Sequence, residues 1–175
     1  MKIHVTGNAG SGKTTLAAEI GSMLDLPVFG LDSIVWKEGW EITPKDERAA
    51  KEKELAQKDA WVIEGVSSII REEADFIVFL DVPRSKCLIR CLKRNAPYLF
   101  KSRPGLPDSC PEIKILPTLL KIIWNFPKLA NPAIEKSVQS GDGVVIKSKS
   151  ELERFLSELK HTKAIQTTSP IARLD

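Results

Sequence analysis

Gly7-Asn8-Ala9-Gly10-Ser11-Gly12-Lys13-Thr14, with Thr15 behind it, is the stretch on which the reading of this chain turns. It satisfies G-x-x-x-x-G-K-[S/T] at every defined position. Ahead of it, Lys2 to Thr6 (KIHVT) reads as a short strand. Behind it, Leu16, Ala17, Ile20, Met23 and Leu24 recur at helical spacing from Lys13 to about Leu24. A glycine loop between a strand and a helix is suited to holding an anion. Glycine tolerates the dihedrals that let several backbone N–H groups converge on one phosphate, and the helix adds its positive N-terminal end. A lysine at the loop exit reaches the outer phosphates, and the hydroxyl that follows supplies one Mg²⁺ ligand. The expectation is that Gly7 to Thr15 binds a nucleoside triphosphate, ATP, with Mg²⁺. Lys13 would then lie on the phosphates and Thr14 on the metal.

Working outward, the chain alternates strands and helices. Pro27 stops the first helix, and Val28 to Leu31 reads as a second strand ending at Asp32. Thr43-Pro44 opens another helix, with Thr43 as its cap and Asp46-Glu47 in the first turn. Trp61 to Glu64 (WVIE) and Phe76 to Leu80 (FIVFL) are strands, the latter apolar enough to be covered on both faces. Pro83 starts a basic helix to about Arg94, Gly143 to Ile146 is a fifth strand, and Ser150 caps a last amphipathic helix through Leu159. This order predicts an α/β fold: a three-layer, doubly wound, mostly parallel five-stranded sheet of the P-loop NTPase and nucleotide-kinase type. The proline-rich stretch at about 95–134 reads as a helical lid insertion over the carboxyl edge of the sheet, where such folds bind ligands.

The remaining numbers bound the reading. A chain of 175 residues suits one domain, taken as 1–160, with 161–175 as a polar, frayed tail. No apolar run approaches the roughly 20 residues needed to cross a bilayer, and no leader segment is evident, so a cytoplasmic, membrane-free protein is expected. Cys87, Cys91 and Cys110 lack metal-ligand spacing; Cys87 and Cys91 read as small apolar residues on one buried helix face. A net charge of +3 does not argue for nucleic acid by itself, but the run from Arg84 to Arg103 holds seven basic residues and no acidic one. Asp81 closes the apolar strand 76–80 and is the candidate second metal ligand beside Thr14.

Asp81-Val82-Pro83, with Arg90 and Arg94 one helical turn apart, resembles the nucleoside monophosphate kinases of the adenylate kinase superfamily. That resemblance implies that Arg90 and Arg94 flank the ATP at the root of a mobile lid. A narrower likeness runs from about Met1 to Leu159. It is carried by Leu31-Asp32 with Trp36, Gly39 and Trp40, by Trp61-Val62-Ile63-Glu64-Gly65, by Arg103-Pro104 and Cys110-Pro111-Glu112, and by Trp124-Asn125-Phe126. These elements resemble the bacterial DNA-topology-modulation proteins. The resemblance implies nucleotide binding on a kinase fold; monomers or small homo-oligomers are expected by analogy.

On the acceptor side, Asp32 is expected to orient the attacking hydroxyl as a general base, Glu64 to assist it, and Arg71 to bind an anionic substituent. Trp36 and Trp40, four residues apart, would share one helix face as an apolar cluster or as an acceptor wall. Arg103 is the candidate for an arginine arriving from the lid, acting with Lys13, Arg90 and Arg94 on developing charge. The leading expectation is thus a Mg²⁺–ATP-dependent kinase of a small-molecule or nucleotide acceptor. A plain NTPase and a nucleotide-dependent regulator of DNA topology are the alternatives. Direct DNA contact by the basic run is disfavoured, because ATP already accounts for a stretch of that size.

Overall fold

The computed structural model describes residues 1–101 and 110–168, the side chains of 162–168 excepted. In chain order the elements are β1 (Lys2–Gly7), α1 (Lys13–Leu24), β2 (Val28–Gly30), α2 (Asp32–Val35), β3 (Trp36–Lys37) and β4 (Glu41–Ile42). Then come α3 (Lys45–Ala56), β5 (Trp61–Glu64), α4 (Ser68–Glu73), β6 (Phe76–Leu80) and α5 (Arg84–Asn95). The chain continues through α6 (Glu112–Leu129), α7 (Asn131–Ser140), β7 (Gly143–Ile146) and α8 (Lys149–Thr168). Five strands form one parallel sheet in the order β2-β5-β1-β6-β7. Strand β1 is central: Ile3 pairs with Val62 on one side and with Phe76 on the other.

Alternation along the strands builds the two covering layers. On one face Ile3, Val5, Val62, Val78 and Ile146 pack with Leu16, Ala17 and Ile20 of α1 and with Leu152, Phe155 and Leu156 of α8. On the other, Trp61 and Ile63 pack with Ala56 and Ile70, while Phe79 meets Phe126 and Ile134. The doubly wound, parallel α/β architecture expected from the sequence is the one observed. Among the described residues no helix is long and apolar enough to cross a membrane.

Local expectations are corrected in five places. Strand β2 stops at Gly30, and Asp32 begins the short helix α2 instead of closing a strand. Thr43 does not cap α3. Pro44 stands at the cap, while Thr43 is buried and its N–H donates to Val35 O at 3.0 Å. Ser148, not Ser150, caps α8: its Oγ accepts from Glu151 N–H at 3.2 Å, and Glu151 Oε2 reaches back to Lys147 N–H at 2.8 Å. Helix α8 carries on to Thr168, because neither glycine nor proline interrupts the chain before Pro170. Finally, α6 runs through Pro117 and Pro127 without ending, since Ile115, Ile123 and Phe126 present one buried face whose packing outweighs two missing N–H groups. Cys87 and Cys91 are buried together against Ile123, as an apolar pair.

Candidate active site

The loop 7–15 leaves the end of β1 and enters α1 at the carboxyl edge of the sheet. Gly10 has φ 79°, and a Cβ there would collide with the carbonyl oxygen of Cys87 in α5, so this turn accepts only glycine. Asn8 O is the hub of the loop, accepting Ser11 N–H at 3.2 Å and the Lys13 ammonium at 2.9 Å. Burial lowers the Lys13 pKa below the ordinary lysine value, while Glu64 and Asp32 oppose the shift and Arg94 reinforces it. Both carboxylates therefore lie within electrostatic range of the lysine. Arg90 Nη1 donates to Ser11 O at 3.3 Å, so α5 lays an arginine directly against the loop.

One cavity of about 940 Å³ extends from this loop across the sheet edge. At the loop it is lined by Gly10, Gly12, Lys13, Thr14, Arg90 and Arg94, with Glu64 beside Thr14; further along it is lined by Asp32, Trp36, Trp40, Arg48 and Glu112. The Trp36 and Trp40 rings meet edge to face at 5.3 Å. They do so through the β3–β4 hairpin and not through a shared helix face. Trp40 holds a left-handed backbone (φ 67°), and its indole N–H donates to Pro111 O at 2.9 Å, fixing the hairpin to the start of α6.

Most of the residues expected in the site are brought together, but two of the described ones are not. Thr14 Oγ1 donates to Glu64 Oε1 at 3.0 Å, so the carboxylate at the loop threonine is Glu64. Asp81, the carboxylate expected there, does not line the cavity. Its Oδ1 accepts from Asn131 Nδ2 at 3.1 Å, and Lys147 Nζ lies 3.8 Å from Oδ2. The side chain that follows an apolar strand is free to turn to either side of the sheet edge, and here α7 and the end of β7 claim it. Arg71 sits in the last turn of α4, outside the cavity lining. Arg103 lies outside the described residues.

Arg48 and Glu112 line the cavity without having been expected in the site. Arg48 stands 3.6 Å from Glu52, whose other oxygen accepts Ser67 Oγ at 2.6 Å; this anchors the guanidinium from a buried carboxylate. A charged helix face reads as solvated in sequence, and only the packing of α3 against α4 turns its one arginine inward. His4 lies beneath the site on β1, with Nε2 3.1 Å from Gly65 O. Burial is the main reason its pKa falls to about 4, against an ordinary 6.5, so it is neutral at physiological pH.

No family model matches the chain, and no curated protein does. Solved structures do. The chain is similar to a shikimate kinase from Acinetobacter baumannii in complex with shikimate, with TM-score 0.56 and 18% identity over 97% of this chain and 94% of that one. It is similar to a shikimate kinase from Bacteroides thetaiotaomicron, with TM-score 0.54 and 15% identity over 94% and 98% of the two chains. A gluconokinase from Sinorhizobium meliloti matches with TM-score 0.51 and 19% identity over 94% and 96%. At these identities the likeness is one of architecture, and it places the chain on the same fold as small P-loop kinases.

Proposed function

We propose that this protein is a Mg²⁺-dependent kinase that moves the γ-phosphoryl group of ATP to a hydroxyl of a small acceptor. The observation that carries this reading is the continuity of the cavity: a phosphate loop at one end and, at the other, a chamber walled by Trp36, Trp40, Asp32 and Arg48. A nucleotide on the loop leaves that chamber for a second molecule, which a plain NTPase would not need.

In this reading the loop N–H groups and Lys13 hold the β- and γ-phosphates, and Arg90 and Arg94 flank the nucleotide. Thr14 and Glu64 present hard oxygen donors 3.0 Å apart, a set that suits Mg²⁺, which takes few protein oxygens and fills its octahedron with phosphate and water. When bound, the ion neutralises charge on the β- and γ-phosphates. Asp32 accepts the proton of the acceptor hydroxyl as its oxygen attacks the γ-phosphorus. The new O–P bond forms while the bond to the β–γ bridging oxygen breaks, and ADP leaves. Lys13, Arg90 and Arg94 meet the charge that moves onto that bridging oxygen. The resemblance to DNA-topology-modulation proteins is compatible with this activity, their effect on DNA then being indirect.

The test is a transfer assay with γ-labelled ATP and Mg²⁺ across nucleosides, nucleoside monophosphates and small hydroxylated metabolites. Label moving to one acceptor class well above free phosphate is the expected result. Label released only as phosphate, at a rate no acceptor changes, would overturn the kinase in favour of an NTPase.

A further inference from the structure

We propose that Asn8 is a positioning residue that ties the phosphate loop to helix α6, so that the wall of the acceptor end and the lysine of the nucleotide end form one mechanical unit. The inference rests on the nucleotide-binding reading above. It starts from a missing atom. Pro127 has no N–H, so the carbonyl four residues earlier, Ile123 O, loses its intrahelical partner. A buried carbonyl needs a replacement. Asn8 Nδ2 supplies it, donating to Ile123 O at 2.9 Å in a buried contact between residues 115 positions apart.

The same asparagine also shapes the loop. Its Oδ1 accepts the N–H of Ala9 at 2.8 Å, and its backbone carbonyl accepts Lys13 Nζ at 2.9 Å and Ser11 N–H at 3.2 Å. Ala9 packs beside Ile123 in the cluster that holds Cys87 and Cys91. One turn of α6 is thus held to the loop by a hydrogen bond and by apolar contact. The same face of the helix also gives Ile115, Leu119 and Ile122 to the cavity, Leu119 packing with Ile123. A molecule pressing on those side chains displaces α6 and, through Ile123 O and Asn8, the lysine that meets the phosphates.

Phosphate binding alone does not require this residue. The loop motif leaves the position of Asn8 open, because the phosphate is met there by backbone N–H groups. An asparagine, with a donor for the helix and an acceptor for its own loop, answers to the tether.

The experiment is a double-mutant cycle on the full chain, with MgATP affinity read by titration calorimetry and Tm recorded for each variant. Asn8→Ala removes the donor and is expected to weaken MgATP binding about three- to tenfold, the worth of one buried hydrogen bond. Pro127→Ala returns an N–H to the helix that competes for Ile123 O. It is expected to raise Tm by removing a helix-interior proline, yet to weaken MgATP binding about two- to fivefold. A purely structural role would move stability and affinity in the same direction. In the Asn8→Ala background, Pro127→Ala is expected to leave affinity unchanged. Equal effects of Pro127→Ala in both backgrounds, or none in either, would overturn the tether. Should Asn8→Ala fail to fold, Asn8→Ser takes its place, since it also removes the amide donor. A wild-type chain that binds no MgATP overturns the proposed function first, and this inference with it.

Discussion

On the proposed reading one end of the cavity takes the nucleotide and the other the acceptor, and the two ends are built in opposite ways. The nucleotide end comes from nine consecutive residues, Gly7 to Thr15, with two arginines laid on from α5. The acceptor end is assembled from α2, the β3–β4 hairpin, α3, the tip of β5 and the first turns of α6. Triphosphates are chemically uniform, so backbone N–H groups and one lysine suffice, and they fit in a single loop. An acceptor must be distinguished from its look-alikes by side chains of different shape and charge, and no short segment can present an indole, a guanidinium and two carboxylates around one molecule. On that reading chemistry and selectivity have separate addresses, joined at Thr14–Glu64 and at Asn8–Ile123.

Substitutions at either end put that contrast to the test. The largest effect is expected for Lys13→Ala. Transfer of label from γ-labelled ATP should fall about 100- to 1000-fold, as when a positioned donor to developing charge is removed, while Tm changes little. Full activity in that variant would take the loop out of the mechanism. Asp32→Asn follows: transfer should fall about 100-fold, with MgATP affinity by calorimetry near that of the wild type. A variant that loses MgATP affinity instead would move Asp32 from the acceptor end to the nucleotide end.

His4 tests the floor shared by both ends. Its folded pKa of about 4 lies below the ordinary 6.5, so the unfolded chain takes up the proton first and stability falls as pH drops through that window. From about pH 7 to about pH 5 this group should remove about 2 kcal/mol, seen by urea unfolding at the two pH values. His4→Gln keeps a donor for Gly65 O and should lose correspondingly less; an unchanged slope would assign the pH dependence to other groups. The smallest effect is expected for Trp36→Ala: KM for the acceptor found in the transfer assay rising about tenfold, or about 1.4 kcal/mol, with KM for ATP unmoved. A matching rise in the ATP value would erase the division between the two ends.

Legibility follows the same division. The loop, the five strands and the pairing of Cys87 with Cys91 were readable, because each depends on local spacing or on apolar runs. The β3–β4 hairpin was not: two tryptophans four apart fit a helix face equally well, and the choice is made by Gly39 and Trp40 taking left-handed backbone conformations. Helix α6 was obscured by its prolines, whose penalty is local while the compensating burial of Ile123 and Phe126 comes from distant strands and helices. Arg48 went unmarked because nothing in its helix reveals which face meets the cavity.

Periodicity and glycine spacing, which are properties of short stretches, were enough to set the doubly wound α/β order and the phosphate loop. Packing between distant elements settled the rest: that Glu64 and not Asp81 shares the loop threonine, that Arg48 turns inward, and that Asn8 takes the carbonyl freed by Pro127. Those outcomes depend on which elements become neighbours, a matter settled by long-range packing and by the need of each buried polar group for a partner.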